Sequence, residues 1–116
     1  GAFELQGQKC SAASRAYIPS NLFDDYIERM KSEVATIQVG SPAELSNFVN
    51  AVIDRKAYEK IVSFIEFARA APDAEIVAGG TYDDATGYFI QPTIIDDFAE
   101  WRGFIRSMNG GCDKNY

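Results

Sequence analysis

The sequence contains no histidine, and this one absence removes several kinds of chemistry. Ser-His-Asp and Cys-His nucleophile activation, and zinc or iron sites built on imidazole, all need that ring. Cysteine is scarce: Cys10 and Cys112, near opposite ends of the chain, are the two present. Two thiols cannot make a four-cysteine zinc site, so no metal is expected. They also lack the close, even spacing of a secreted disulfide framework, which favours a reducing compartment. Positive charge is in short supply, with 11 Lys and Arg against 17 Asp and Glu and a net charge of −6. The field of such a chain repels phosphate backbones and anionic lipid heads, so neither nucleic acid nor membrane is an expected partner. No apolar run is long enough for a bilayer, and no basic stretch leading into apolar residues opens the sequence, so no targeting segment is expected. Gly-x-Gly-x-x-Gly and Walker-type Gly-Lys-Ser/Thr strings are missing too, and no phosphate cradle is legible.

What is there suits one folded unit: 116 residues, 47% of them hydrophobic and 13% aromatic, are material for a single core. Residues 7–14 read as a turn entering a short helical segment. Arg15-Ala16-Tyr17-Ile18 reads as a short strand stopped by Pro19, with Ser20 as the N-cap of a helix. Leu22, Tyr26, Met30 and Val34 fall on one helical face, with Asp24 and Asp25 in the first turn and Gly40-Ser41-Pro42 as a stop signal. Phe48, Val49, Ala51, Val52 and Ile53 form an apolar patch whose role periodicity does not decide. Asp54 has the chemistry of an N-cap for a second helix, whose buried face is expected to carry Tyr58, Ile61, Ile65 and Ala68.

Two β-like runs follow, one at residues 75–78 and one from Tyr88 to Ile90 that continues past Pro92 through Ile95. Beyond Asp97, Phe98, Trp101, Ile105 and Met108 recur at the spacing of a short amphipathic helix. The fold class expected is α/β.

Cys10 is the candidate nucleophile. A Gly7-Gln8-Lys9 turn precedes it and small residues follow, so helix-start amides near its sulfur would favour the reactive thiolate. A small buried thiol accounts for the same residue. Lys9 could act on the sulfur electrostatically or point to water. Gly79-Gly80 follows a strand but precedes another β-like run, which makes it a turn and not a phosphate loop. The Asp83-Asp84 and Asp96-Asp97 pairs read as solvated charge.

The string Gly7-Gln8-Lys9-Cys10-Ser11-Ala12-Ala13-Ser14-Arg15 resembles the active-site cysteine motif of the aldehyde dehydrogenase superfamily. Ala2-Phe3-Glu4, Asn50-Ala51-Val52-Ile53-Asp54, Ala78-Gly79-Gly80 and Gly87-Tyr88-Phe89-Ile90-Gln91-Pro92-Thr93 narrow the likeness to its 1-pyrroline-5-carboxylate dehydrogenase branch. These motifs lie in order over residues 1–95, and several in register are far more specific than one. The resemblance implies that these strands belong to a larger helix-flanked sheet in which connections are crossovers more than hairpins. It further implies that Cys10 is the nucleophile attacking an aldehyde, with hydride passing to NAD and water cleaving the thioester. The Cys10 N–H would be one oxyanion donor. Ser11 is left with two readings, a ligand for the substrate α-carboxylate or a hydroxyl bonding local backbone.

Members of this superfamily are several times longer. The resemblance places their NAD-binding domain, water-activating glutamate and oxyanion-hole asparagine upstream of the matched segment, and residues 96–116 match nothing in it. The chain is therefore expected to be a fragment of a catalytic domain, inactive alone, whose complete enzyme is a homo-oligomer acting on a small aldehyde. Its location by resemblance is the mitochondrial matrix in a eukaryote and the cytoplasm otherwise. The alternative is a noncatalytic truncated protein that serves as an interaction or binding module.

Overall fold

β2 (Ala74–Ala78) is the strand about which the other elements are arranged. In the computed structural model, which describes residues 1–97 and 104–107, successive residues of β2 join different cores. Ile76 packs with the cluster of helix α2 (Arg55–Ala70), and Val77 with that of helix α1 (Phe23–Ala35). Alternate side chains of a strand point to opposite faces, so the helices cover β2 from its two sides. A sheet flanked by helices, as expected of an α/β segment, is what forms.

The larger sheet has four strands, in the order β1 (Arg15–Tyr17), β6 (Phe104–Ser107), β5 (Ile94–Asp97), β2. Ile76 lies opposite Ile95, and the register shifts between Ile76 and Ala78. The interior strand β5 is deeply buried, with Ile94 wholly enclosed and Ile95 and Asp96 nearly so. A second, two-stranded sheet pairs β3 (Tyr82–Asp83) with β4 (Phe89–Ile90).

Every strand pair in register is antiparallel, yet in the larger sheet the neighbours β1–β6 and β5–β2 are non-consecutive, so the chain crosses over between them as the resemblance implied. Among the described strands β5–β6 and β3–β4 are the consecutive neighbours. The reversal after β2 rests on Gly79 and Gly80, with φ of +72° and +83°. A Cβ on Gly79 would lie 2.1 Å from the Pro92 carbonyl oxygen, so that approach needs glycine as well as its conformation.

The helices form for the reasons expected, with different ends. α2 is capped by Asp54, whose Oδ1 accepts from the Ala57 N–H at 2.7 Å. Its inward face is Tyr58, Ile61, Ile65 and Ala68, as the periodicity indicated. Burying an aliphatic or aromatic side chain of this size contributes about 1.5–3 kcal/mol, whereas exposed pairs such as Arg55–Glu59 contribute at most about 1 kcal/mol. Packing therefore holds α2.

α1 buries Ile27 and Val34, but Ser20 does not cap it: residues Ser20–Leu22 form a separate 3₁₀ turn, and the helix enters from Leu22 with no side-chain cap. It stops at Ala35, before Gly40, because the Thr36 and Ile37 N–H groups fold back to Glu33 and Val34 and the Thr36 hydroxyl donates to the Glu33 carbonyl at 2.7 Å.

Three further expectations change. The run from Tyr88 to Ile95 is two strands in two sheets, because Pro92 has no N–H for a ladder. The Thr93 hydroxyl substitutes there, accepting from Gly80 N–H at 3.0 Å and donating to Gln91 O at 2.7 Å. Asp96 is buried in β5 and is not solvated loop charge, while Asp84 lies 3.7 Å from Arg55. The helix expected around Phe98, Trp101, Ile105 and Met108 falls mostly outside the described residues; where described, Phe104–Ser107 is a strand bridging β1 and β5.

Two outcomes follow from the packing around β2. Gly79→Ala meets both positive φ and the Pro92 backbone, and is expected to lower the unfolding free energy by about 2–5 kcal/mol in urea melts. Tyr82 donates to Glu66 at 2.8 Å, and this bond first, then burial, holds its phenol above the usual value of 10.0. Burial does the same for Tyr58. The folded chain keeps these protons more tightly than the unfolded one, so their stabilisation is whole below about pH 10 and lost as pH rises beyond it. Thermal midpoints measured against pH should fall in that range, and fall less steeply in Tyr82→Phe.

Candidate active site

The chain reaches Cys10 through an unusual backbone. Phe3 is buried against the α1 core. Residues Glu4–Gly7 then make a 3₁₀ turn in which Leu5, Gln6 and Gly7 are all left-handed, with φ of 51°, 58° and 69°. Glycine takes this conformation freely, but for Leu5 and Gln6 it costs about 1–2 kcal/mol each.

Hydrogen bonds offset that cost. The Leu5 carbonyl accepts from the Gln8 N–H at 3.0 Å and lies 3.3 Å from Gln8 Nε2. Gln6 is buried, and its amide, oriented so that each end meets a complementary group, accepts from the Asn50 N–H at 2.8 Å and donates to Leu5 O at 3.0 Å. Gln8 Oε1 accepts from the Ile53 N–H at 3.0 Å. At about 1 kcal/mol net for each bond, the set matches the strain.

Lys9, Cys10, Ser11 and Ala12 then form one turn, closed by Ala12 N–H to Lys9 O at 3.1 Å. Cys10 is exposed with a free thiol. No helix begins after it, so the helical segment expected there is replaced by this turn, and the buried-thiol reading is excluded. Lys9 is engaged elsewhere: its Nζ lies 2.8 Å from Glu4 Oε1. Ser11 is exposed beside Cys10, and among the described residues its hydroxyl bonds no backbone group.

The undecided apolar patch proves to be the seat of the turn. Val49 and Val52 are buried, one in each core, while Phe48 and Ile53 are exposed. Asn50 Nδ2 donates to Gly40 O at 3.0 Å, Val52 N–H to Tyr88 O at 2.9 Å, and Asp54 caps α2. The motifs that carried the resemblance are thus bonded to one another: Gln8 to Ile53, Val52 to Tyr88, Gly80 to Thr93. Sequence reasoning passed over Gln6 and Gln8. The available signal was two amides, each donor and acceptor at once, on either side of a turn-forming glycine.

The sequence model of the aldehyde dehydrogenase family matches residues 1–105, past residue 95 and into β6. The chain belongs to the aldehyde dehydrogenase family. It is 50% identical over 95 residues to the mitochondrial delta-1-pyrroline-5-carboxylate dehydrogenase of Dictyostelium discoideum, and 46% identical over 96 residues to that of Homo sapiens. In each comparison 82% of this chain and 17% of the relative are covered. A crystal structure of the Mycobacterium tuberculosis delta-pyrroline-5-carboxylate dehydrogenase bound with NAD superposes with a TM-score of 0.80 at 39% identity, over 89% of this chain and 19% of the other. The chain thus spans under a fifth of the length of these relatives.

In this dehydrogenase-family chain the Gly80 backbone groups of the Gly79-Gly80 turn and the Ala57 N–H at the start of α2 already have partners within the chain. At Gly79-Gly80 the Gly80 N–H is taken by Thr93 and its carbonyl by Arg69 at 2.6 Å, and Gly79 is pressed on Pro92. At the start of α2 the Ala57 N–H is taken by Asp54. No helix among the described residues is long and apolar enough to cross a membrane.

The Glu4–Lys9 contact gives the cysteine turn a pH dependence. The hydrogen bond from Lys9 holds the Glu4 carboxyl below its ordinary value of 4.5. The contact therefore supports the turn above about pH 4.5 and is lost as pH falls through the lowered value. Amide exchange at Ala12, corrected for intrinsic rates, should quicken below that pH, and Glu4→Gln should remove the dependence.

Proposed function

We propose that Cys10 is the nucleophile of an NAD-dependent dehydrogenase that oxidises L-glutamate γ-semialdehyde, the open form of 1-pyrroline-5-carboxylate, to L-glutamate in proline catabolism. This chain is then the nucleophile-bearing part of that enzyme's catalytic domain. The observation that carries the reading is an exposed Cys10 on a turn tied to residues 50–54, within a segment half identical to a protein of that name.

The chain's own chemistry is the first step. The Cys10 thiolate adds to the aldehyde carbon, a C–S bond forms, and the carbonyl electron pair moves to oxygen. The Cys10 N–H, fixed in the turn, is a donor for that oxyanion. Ser11, exposed and adjacent, is a ligand for the α-carboxylate of the substrate. The remaining steps need groups that the described residues do not supply, so the isolated chain forms no product. The complete protein is a homo-oligomer, mitochondrial in a eukaryotic source and cytoplasmic otherwise.

A second reading, a noncatalytic interaction module, is favoured by exposed apolar residues, among them Phe48, Ile53 and, on α2, Phe67. One experiment separates them. The native protein, captured with an antibody against residues 17–37, is assayed for NADH formation with L-glutamate γ-semialdehyde, and Cys10→Ala is expected to lower the rate by more than about a thousandfold. Undiminished oxidation by that variant would remove Cys10 from the chemistry. A captured protein that forms no NADH with this substrate would leave the interaction reading in its place.

A further inference from the structure

We propose that Gln8 is a positioning residue: its amide bridges the cysteine turn to residues 50–54 and so sets the direction in which Cys10 presents its sulfur and its N–H. The proposal rests on Cys10 being the nucleophile and assigns what aims it.

The turn that carries Cys10 has little of its own to hold it. It is closed by one backbone bond, Ala12 to Lys9, and the Glu4–Lys9 pair beside it is exposed, where water screens the attraction. Residues 50–54, by contrast, are pinned from several sides through Val52, Asn50 and Asp54. A direction can be inherited only from something fixed, and Gln8 is the side chain two residues from Cys10 that reaches it.

The reach is specific. Gln8 Oε1 accepts from Ile53 N–H at 3.0 Å while Nε2 lies 3.3 Å from Leu5 O, so one planar amide joins the left-handed turn before Cys10 to the seat beneath it. Ile53 takes part through its backbone: the residue is 81% exposed, and its N–H is the group committed to Gln8. Gln6 makes the parallel contact to Asn50, but it lies on the far side of Gly7, whereas Gln8 directly precedes the Lys9 to Ala12 turn. Misaiming a nucleophile by about 1 Å can cost a hundredfold in rate, so a bridge here acts on the chemical step and not on substrate binding.

Two variants test this in the 116-residue chain and in the antibody-captured native protein. Gln8→Met keeps length and bulk but loses the amide; Gln8→Glu keeps an acceptor for Ile53. Amide exchange at Ile53 and Ala12 is expected to rise about five- to tenfold in Gln8→Met, with Ile65 in α2 unchanged, and Gln8→Glu should restore protection at Ile53. In the native protein, Gln8→Met should lower kcat by about 10- to 100-fold at unchanged KM, with partial recovery in Gln8→Glu.

The proposal is overturned if Ile53 and Ala12 stay protected in Gln8→Met, if Ile65 quickens equally, or if KM rises while kcat holds. If Cys10→Ala abolishes oxidation and Gln8→Met leaves kcat unchanged, this proposal alone fails. If neither variant alters oxidation, the nucleophile reading fails and the positioning role with it, whatever the exchange rates show.

Discussion

Residues 49–54 are the constraint on which the rest of the described chain leans. Val49 and Val52 drop into separate cores on opposite sides of β2, which forces the intervening backbone to cross between them. In that crossing the N–H groups of Asn50, Val52 and Ile53 are turned outward to three different partners: Gln6, Tyr88 and Gln8. Asp54 then starts α2. A buried or half-buried N–H without a partner costs about 1–3 kcal/mol, so each link satisfies the segment as much as it secures the partner. The cysteine turn, the β4 loop and the first turn of α2 take their places from one stretch of backbone.

The parts of the fold that were legible in the sequence are those with a local cause. α2 announced itself through Asp54 and the Tyr58, Ile61, Ile65, Ala68 spacing because capping and one-sided burial act within a few residues. β1 and β2 were legible for similar reasons, through Pro19 and the Gly79-Gly80 pair. The start of α1 was misread because a serine before a helix is a good cap in principle, and the actual entry through Leu22 is set by the 3₁₀ turn before it. β3 and the division between β4 and β5 escaped because the switch of sheets depends on the Thr93 hydroxyl meeting Gly80, a contact across thirteen positions that no periodicity encodes. The strand character of residues 104–107 is likewise owed to its neighbours β1 and β5, which override a helical spacing.

The candidate site divides the same way. Cys10 and Ser11 could be named from the motif, and the structure sets them side by side in one exposed turn. Helix-start amides near the sulfur and an electrostatic role for Lys9 could not be carried forward: the turn goes on to β1, and the lysine has Glu4 for a partner. The groups that shape the turn, Gln6 and Gln8, were invisible because an amide in a polar string looks like solvent-facing filler until its partners, some forty residues away in the chain, are in place. A motif read as a list of reacting atoms omits the residues that hold those atoms still.

That separation in the chain has a consequence for the order of events as the protein is made. Gln8 and Ile53 lie 45 positions apart, and closing so long a loop carries an entropic cost that must be met before the contact returns anything. Synthesis proceeds from the amino end, so until residues 49–54 have emerged the left-handed stretch at Leu5 and Gln6 has local bonds alone, such as Gln8 N–H to Leu5 O, to offset its strain. Until then the amide that bridges the cysteine turn to its seat has no Ile53 N–H to accept from. The thiol acquires its fixed aim only once the surface it is aimed from has been built.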